Sequence, residues 1–325
     1  MRGRVIGTGS CMPERILTNH DLEKLVDTTD EWIVSRTGIR ERRIAAPDEF
    51  TSTLATNAAL KALAMAGVTP EQLDMIIVAT VTPDFQFPST ACILQNNLNA
   101  VNATAFDISA ACSGFIYGLA TVDKFIRCGT VKKALVVGAE VLSRIVDWSD
   151  RNTCLLFGDG AGAVVIEAVD GDIGILDTFT RSDGSLWDLL YLPAPGSRNP
   201  PEHKIIDERL IYLRMQGNEV FKLAVRAMEE SAQQVLSMTG HTPSDIDLFI
   251  PHQANRRIID AIGKRLKLPA EKVYVNIDRF GNTSAASIPI ALDEANRSGV
   301  LVQGDLLLLD SFGGGLTWGA ALIRW

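Results

Sequence analysis

The chain has no CxxC pair. Its five cysteines (Cys11, Cys92, Cys112, Cys128 and Cys154) are odd in number and scattered through 325 residues. That pattern argues against a disulfide scaffold, and the four histidines (His20, His203, His241 and His252) show no ligand spacing with the thiols. No metal site is expected. Long apolar runs are also missing: MIIVATV (75–81) and LLLL (306–309) are far too short to span a bilayer. The N-terminal stretch MRGRVIGTGSCMPERILTN has no apolar core of signal-peptide length before Pro13. A soluble, cytoplasmic protein with no membrane partner is the expectation. Positive charge is in deficit, with a net charge of −8, so nothing global suggests nucleic acid. An anionic partner would need a local basic patch. What is present is ordinary globular material, 46% hydrophobic and 22% charged, enough for one large domain or two of common size.

Residues 107–115 read DISAACSGF, with Cys112 at the junction of two patterns. Upstream, TAFDI (104–108) reads as the end of a strand. Downstream, Phe115, Leu119, Val122 and Ile126 recur at helical spacing. Cys112 is therefore expected near the first turn of a helix, where unpaired N–H groups and the macrodipole favour a thiolate. A small buried hydrophobe is the other reading of the same stretch.

The chain also repeats itself. LAMAGVTPEQLDMII (63–77) and LSMTGHTPSDIDLFI (236–250) share L-x-M-x-G-x-T-P-x-x-x-D at an offset of 173 residues. Each follows a helical stretch (51–66 and 217–239) and closes with Gly, a Thr-Pro turn and a strand. SAAC (109–112) faces SAAS (284–287), and FGDGAGAVVIEA (157–168) resembles FGGGLTWGAALIRW (312–325). Two related α/β halves follow, 1–170 and 171–325, joined as a pseudo-twofold pair of sheets sandwiched by helices. On this alignment Ser287 stands where the first half has Cys112, so the thiol belongs to one half. The other half supplies PHQAN (251–255) and GNTSAAS (281–287). Pseudo-symmetry brings equivalent strand ends together, which makes Cys112, His252 and Asn282 the candidate trio.

Other motifs are weaker. GTGSC (7–11) and GDGAG (158–162) invite a phosphate-loop reading, but Pro13 follows the first and the strand AVVIEA follows the second. His20 reads as a helix-start surface residue and His241 as part of the repeat turn. His203 falls in the proline-rich stretch 193–206, expected to be an exposed loop. After PHQAN, RRIIDAIGKRLKL (256–268) reads as an amphipathic helix with Ile258, Ile259, Ile262 and Leu266 inward and Arg257, Lys264 and Arg265 outward. Such a basic face is either solvated or the local patch for an acidic partner.

With AACSGF (110–115), RNTCLLFGDGAGA (151–163), MQGNEVFK (215–222), PHQANRRII (251–259), GNTSAAS and FGGGLTWG (312–319), the chain resembles the β-ketoacyl-acyl-carrier-protein synthase III family. Those are the initiating condensing enzymes of bacterial fatty acid synthesis. The resemblance extends over essentially the whole chain and implies a thiolase-like fold, a layered αβαβα sandwich. It implies decarboxylative condensation of an acyl-CoA primer with malonyl-acyl-carrier protein through an acyl-Cys112 intermediate. His252 and Asn282 would donate to the malonyl thioester oxygen, and backbone N–H groups of Cys112 and Gly314 would form the oxyanion hole. The resemblance places coenzyme A on Thr28, Trp32, Arg36, Arg151 and Gly217, with its adenine between Trp32 and Arg151. Phe87 would close the acyl pocket across a homodimer interface, with Phe312 near the thiol. Lys222, Arg256, Arg257, Lys264 and Arg265 would receive the carrier protein. No cofactor is implied beyond the thioester substrate.

The sequence departs from the family pattern at Leu316, where an aromatic is common, and in 193–206, preceded by Trp187, Leu189 and Leu190. These positions leave primer length open among acetyl, branched and longer groups. The competing readings are a type III polyketide synthase or medium-chain paralogue, a Cys-His-Asn hydrolase, and a binding protein that kept the fold. The papain-like pattern around the cysteine is absent.

Overall fold

A computed structural model describes all 325 residues, and its sheets grow from the apolar runs noted above. The first sheet contains β1 (Arg2–Cys11), β2 (Met75–Ala79), β3 (Thr104–Ile108), β4 (Lys133–Glu140) and β5 (Gly160–Val169), ordered β1-β5-β4-β2-β3. The second contains β6 (Gly174–Ser182), β7 (Leu248–Pro251), β8 (Leu306–Gly313) and β9 (Thr317–Arg324), ordered β7-β8-β9-β6. Read from its other edge, the second sheet repeats the first strand for strand. In each, two antiparallel pairings are followed by a parallel one. An isolated parallel bridge, Phe249 to Val273, stands in the place of β3. The strands of one sheet end at Val169 and those of the other begin at Gly174.

Successive strand residues point to opposite faces, so continuous apolar strands must be covered twice. Ile76 and Val78 face α2 (Thr51–Ala66) and α3 (Thr90–Leu98), through Leu54 and Leu94. Ile77 and Val136 face the middle layer, α4 (Gly114–Arg127) and α7 (Ser287–Arg297), which contributes Phe115, Leu119, Ile288 and Leu292. That layer's far side meets Ile250 and Leu309 of the second sheet. Phe249 and Leu308 turn the other way, to α5 (Gly217–Thr239) and α6 (Arg256–Arg265) through Met228 and Ile262. The order is αβαβα. No helix is long and apolar enough to cross a membrane.

The glycine motifs serve packing. A Cβ at Gly7 or Gly9 would lie 2.3 Å from the carbonyl oxygen of Ala62 or Ala58, so GTGSC lets α2 press against β1 backbone to backbone. Gly162 of GDGAG admits α7 in the same way, with Ile290 N at 2.6 Å from a Cβ.

Two sequence expectations are corrected. The alignment of SAAC with SAAS is off by two residues. Backbone geometry pairs the 3₁₀ turn Ala111–Ser113 with Ser284–Ala286, and the positive φ of Ala111 (46°) with that of Ser284 (49°). The offset of 173 therefore holds at this turn as well, and the counterpart of Cys112 is Ala285 rather than Ser287. Side-chain identity had favoured a match that the backbone does not make. The stretch 193–206 is also not all exposed loop: Ala194 is buried, and a short helix, His203–Asp207, buries Ile205.

Candidate active site

Cys112 stands in the turn between β3 and α4, with Ala111 in the left-handed region. Gly313 passes so close that a Cβ there would lie 2.6 Å from Cys112 N. The thiol is only 8% exposed, and burial, reinforced by the charge of Glu140, pushes its pKa up to about 12. The Ser284 hydroxyl and the residue's own N–H act in the opposite direction. A rise of three units from 9.0 corresponds to about 4 kcal/mol. A helix terminus supplies at most about 2 kcal/mol. Contrary to the sequence expectation, the resting group is a thiol.

His252 follows β7 and is anchored by its N–H donating to the Asp310 carbonyl at 2.8 Å. Its Nδ1 lies 2.7 Å from Ser287 Oγ, which also accepts the Gln253 N–H at 3.3 Å. We assign the tautomer in which the Ser287 hydroxyl donates to Nδ1 and the ring proton sits on Nε2, because that hydroxyl has no other acceptor within the chain. Burial brings the imidazole down to about 3, so it stays neutral. Asn282 is held by its N–H to the Leu156 carbonyl (2.8 Å) and by its carbonyl accepting from Gly158 N (3.1 Å). Its Oδ1 accepts the Ser284 N–H at 2.9 Å, which fixes the amide orientation and leaves Nδ2 without a partner in the chain. Imidazole and carboxamide thus each present a neutral N–H group with no acceptor in the chain. They do not touch in the manner of a Cys-His-Asn hydrolase.

Cys112, His252 and Asn282 line one cavity of about 710 Å³. Trp32, Arg36, Gly217, Lys222, Arg257 and Phe312 lie along it. A second chamber of about 280 Å³ shares Cys112 with it and is lined by Leu142, Ile145, Leu192 and Leu213 together with Gly314 and Ser284.

Other expected residues stand elsewhere. Arg151 does not line the cavity but lies on Trp32, its guanidinium carbon 4.2 Å from the ring centroid. The two are stacked on each other, so no gap for an adenine is open between them. Thr28 also lies outside the cavity lining, its buried Oγ1 without a partner. Phe87 is 86% exposed and touches neither chamber of its own chain, so it does not close the acyl pocket from within. Of the basic residues, Arg256 pairs with Asp260 at 2.8 Å, Lys222 with Glu219 at 2.9 Å, and Arg265 with Glu229. Arg257 and Lys264 have no acidic partner, and Arg257 caps Phe221 at 5.5 Å. Leu316, the departure from the family pattern, is buried in the outer core.

Sequence reading missed three polar residues at the site: Ser287, Ser284 and Glu140. Ser284 and Ser287 lie inside the quoted GNTSAAS, but nothing in the spacing says which hydroxyl meets which ring nitrogen. Glu140 ends an apolar strand and gives no sequence signal.

The family model described as "3-Oxoacyl-[acyl-carrier-protein (ACP)] synthase III" matches residues 106–184, and its C-terminal companion matches 236–325. The chain is 58% identical over 321 residues to a β-ketoacyl-[acyl-carrier-protein] synthase III of Caldanaerobacter subterraneus subsp. tengcongensis, covering 99% of this chain and 97% of that protein. It is 56% identical over 322 residues to the protein of the same description from Xanthomonas euvesicatoria, covering 99% and 98%. Among solved structures, the 3-oxoacyl-[acyl-carrier-protein] synthase III of Aquifex aeolicus superposes with a TM-score of 0.93 at 53% identity, over 99% of this chain and 100% of that one.

Proposed function

The chain belongs to the 3-oxoacyl-[acyl-carrier-protein] synthase III family, and from that membership we propose how its residues divide the work. The reaction is the initiating condensation of fatty acid synthesis, in which an acyl-CoA primer meets malonyl-acyl-carrier protein. The thiolase-like fold supplies the nucleophile from one half, 1–170, and the N–H donors from the other, 171–325.

Cys112 attacks the primer's thioester carbonyl, and the oxyanion is held by the N–H groups of Cys112 and Gly314. Coenzyme A leaves, and the acyl chain occupies the 280 Å³ chamber. Malonyl-acyl-carrier protein then enters through the larger cavity. As carbon dioxide departs, negative charge grows on the malonyl thioester oxygen, toward which His252 Nε2 and Asn282 Nδ2 donate. The enolate carbon attacks the acyl thioester and expels Cys112. The single observation that carries this reading is the pair of oriented, neutral N–H donors beside a buried thiol.

Trp32, Arg36, Arg151 and Gly217 receive coenzyme A, with Thr28 at the edge, once the Trp32–Arg151 stack opens. Arg257 and Lys264 lead the carrier protein's acidic surface, with Arg256, Arg265 and Lys222 released from their acidic neighbours on docking. The chain acts as a homodimer. Strand β3 is an edge with its outer hydrogen-bonding side unpaired; Thr90 N donates to its Asp107 at 2.7 Å, and Phe87, three residues earlier, projects into solvent. Crossing to a second copy, Phe87 would shorten that copy's acyl chamber and so set primer length. Phe312 borders the larger cavity beside the thiol.

Intact-mass measurement after incubation with a panel of acyl-CoA thioesters tests the reading. A single adduct is expected, lost in Cys112→Ala. Adducts that persist in the variant at Cys92, Cys128 or Cys154 would overturn the assignment.

A further inference from the structure

Asn282 is placed by the main chain of a neighbouring segment. Its N–H and its carbonyl bond to Leu156 and Gly158, and a parallel bridge pairs it with Phe157. Leu156, Phe157 and Asn282 together line the larger cavity. The carboxamide is therefore no better placed than the segment 155–158 on which it hangs. That segment lies against the side chain of Arg42.

Arg42 is the one lysine or arginine that is fully buried in the fold, and all its hydrogen-bond partners are neutral. It stands on a two-stranded ribbon, Glu41–Arg43 against Ile16–Thr18. Its Nη2 donates to the Leu155 carbonyl at 2.8 Å. Its Nη1 donates to the Leu17 carbonyl (3.1 Å) and to Asn19 Oδ1 (2.9 Å). Asn19 Nδ2 donates in turn to Asp30 Oδ1 and to the Ile39 carbonyl, both at 2.8 Å. Those acceptors fix the amide orientation of Asn19, so the guanidinium is held from behind. The stem is clamped as well. A Cβ at Gly158 would lie 3.1 Å from Arg42 Cβ and 2.3 Å from the Phe280 carbonyl oxygen. A Cβ at Gly281 would lie 3.2 Å from Arg42 Cβ and 2.8 Å from the Leu156 carbonyl oxygen. Two glycines thus let the stem touch the backbone on both sides of the bridge between Phe157 and Asn282.

Burying a guanidinium without a carboxylate is costly, and an apolar side chain would fill the same space more cheaply. Burial lowers the group only to about 10, so it stays charged at neutral pH. What an apolar side chain cannot do is hold the Leu155 carbonyl in one direction. The next carbonyl along, that of Leu156, receives the Asn282 N–H.

We propose that Arg42 is a positioning residue for Asn282: its guanidinium fixes the peptide between Leu155 and Leu156, and through it the aim of the carboxamide into the cavity. This rests on the reading of Asn282 as a donor to the enolate. Arg42 lines neither chamber, so it reaches the substrate only through Asn282. Its effect belongs to decarboxylation, the step in which Asn282 donates, and not to the attack of Cys112 on the primer.

The test uses two variants. Arg42→Met keeps an apolar stem and removes the donors, and Arg42→Lys keeps the stem and the charge but not the planar fork. Each is measured alone and in an Asn282→Ala background, by labelled carbon dioxide release from malonyl-acyl-carrier protein and by intact-mass acylation at saturating acyl-CoA. Arg42→Met should slow decarboxylation by a factor of about a hundred, the cost of misplacing a catalytic group by about 1 Å. Acylation, at an independent site, should change by no more than about twofold. Arg42→Lys should lose decarboxylation in the same selective way to a smaller extent, and it carries the test if Arg42→Met does not fold. In the Asn282→Ala background neither substitution should slow decarboxylation further, because the group it misplaces is gone. Losses that multiply in the double variants, or acylation that falls as far as decarboxylation, would mean that Arg42 only supports the fold and would overturn the proposal. So would a folded Arg42→Met protein that decarboxylates at the original rate. An Asn282→Ala variant with undiminished carbon dioxide release would instead overturn the donor reading, and the proposal with it.

Discussion

If His252 acts as a neutral donor, the decarboxylation step should ignore pH where an ordinary histidine titrates. Burial without a carboxylate neighbour takes its imidazole from 6.5 to about 3. The difference is roughly 5 kcal/mol against charging the ring inside the fold. From pH 5 to 8 the ring is neutral, and in the tautomer assigned through Ser287 its proton is on Nε2. The rate of carbon dioxide release from malonyl-acyl-carrier protein should be flat over that window. His252→Ala removes one of two donors to the developing enolate, so decarboxylation should fall by a factor of about 10²–10³, with Asn282→Ala similar. Acylation of Cys112 should fall less in both variants. The same depressed value has a consequence for stability. The unfolded chain binds this proton below 6.5 and the folded chain only near 3, so His252 contributes stability above 6.5 that is lost as pH falls toward 3. In His252→Ala that part of the acid sensitivity should vanish from denaturant titrations. The assay is labelled carbon dioxide release, run beside intact-mass measurement of acylation. An inflection between pH 6 and 7 in the decarboxylation rate that His252→Ala abolishes would refute the neutral-donor reasoning. Equal losses in both half-reactions would do so as well.

Two further outcomes follow from the cavity mouth. Inserting an adenine between Trp32 and Arg151 requires the present 4.2 Å separation to open to about 7 Å, two van der Waals gaps. Trp32→Ala should therefore raise KM for acyl-CoA several-fold or more with little change in kcat, and an unchanged KM would remove this pair from the coenzyme A site. Arg257, which has no acidic partner, should matter more to carrier docking than Arg256, which is tied to Asp260. Arg257→Glu should raise KM for malonyl-acyl-carrier protein several-fold, less so at high salt, while acylation by acyl-CoA stays nearly constant. Indifference of the carrier reaction to both the substitution and salt would rule this face out.

Much of the molecule could be read from the chain because the signals involved are local. Helical spacing at Phe115, Leu119, Val122 and Ile126 is a property of one segment, and α4 forms where it occurs. The repeat at an offset of 173 residues foretold two sheets of the same strand order, since equal sequence patterns fold into equal units. Cys112, His252 and Asn282 could be named because each sits beside a pattern that its half repeats. What only the tertiary structure decided depends on contacts between distant segments. The resting state of Cys112 is set by desolvation, a three-dimensional quantity, and burial outweighs the helix terminus that the sequence suggested. The true counterpart of Cys112, Ala285, emerged from paired backbone angles, which letters do not record. The Trp32–Arg151 stack and the solvent-facing Phe87 likewise depend on how loops settle against one another. Glu140 is the clearest case. In the sequence it is one acidic residue at the end of an apolar strand, and only folding removes its water and brings the hydroxyls and N–H groups of Thr80–Thr82 onto it.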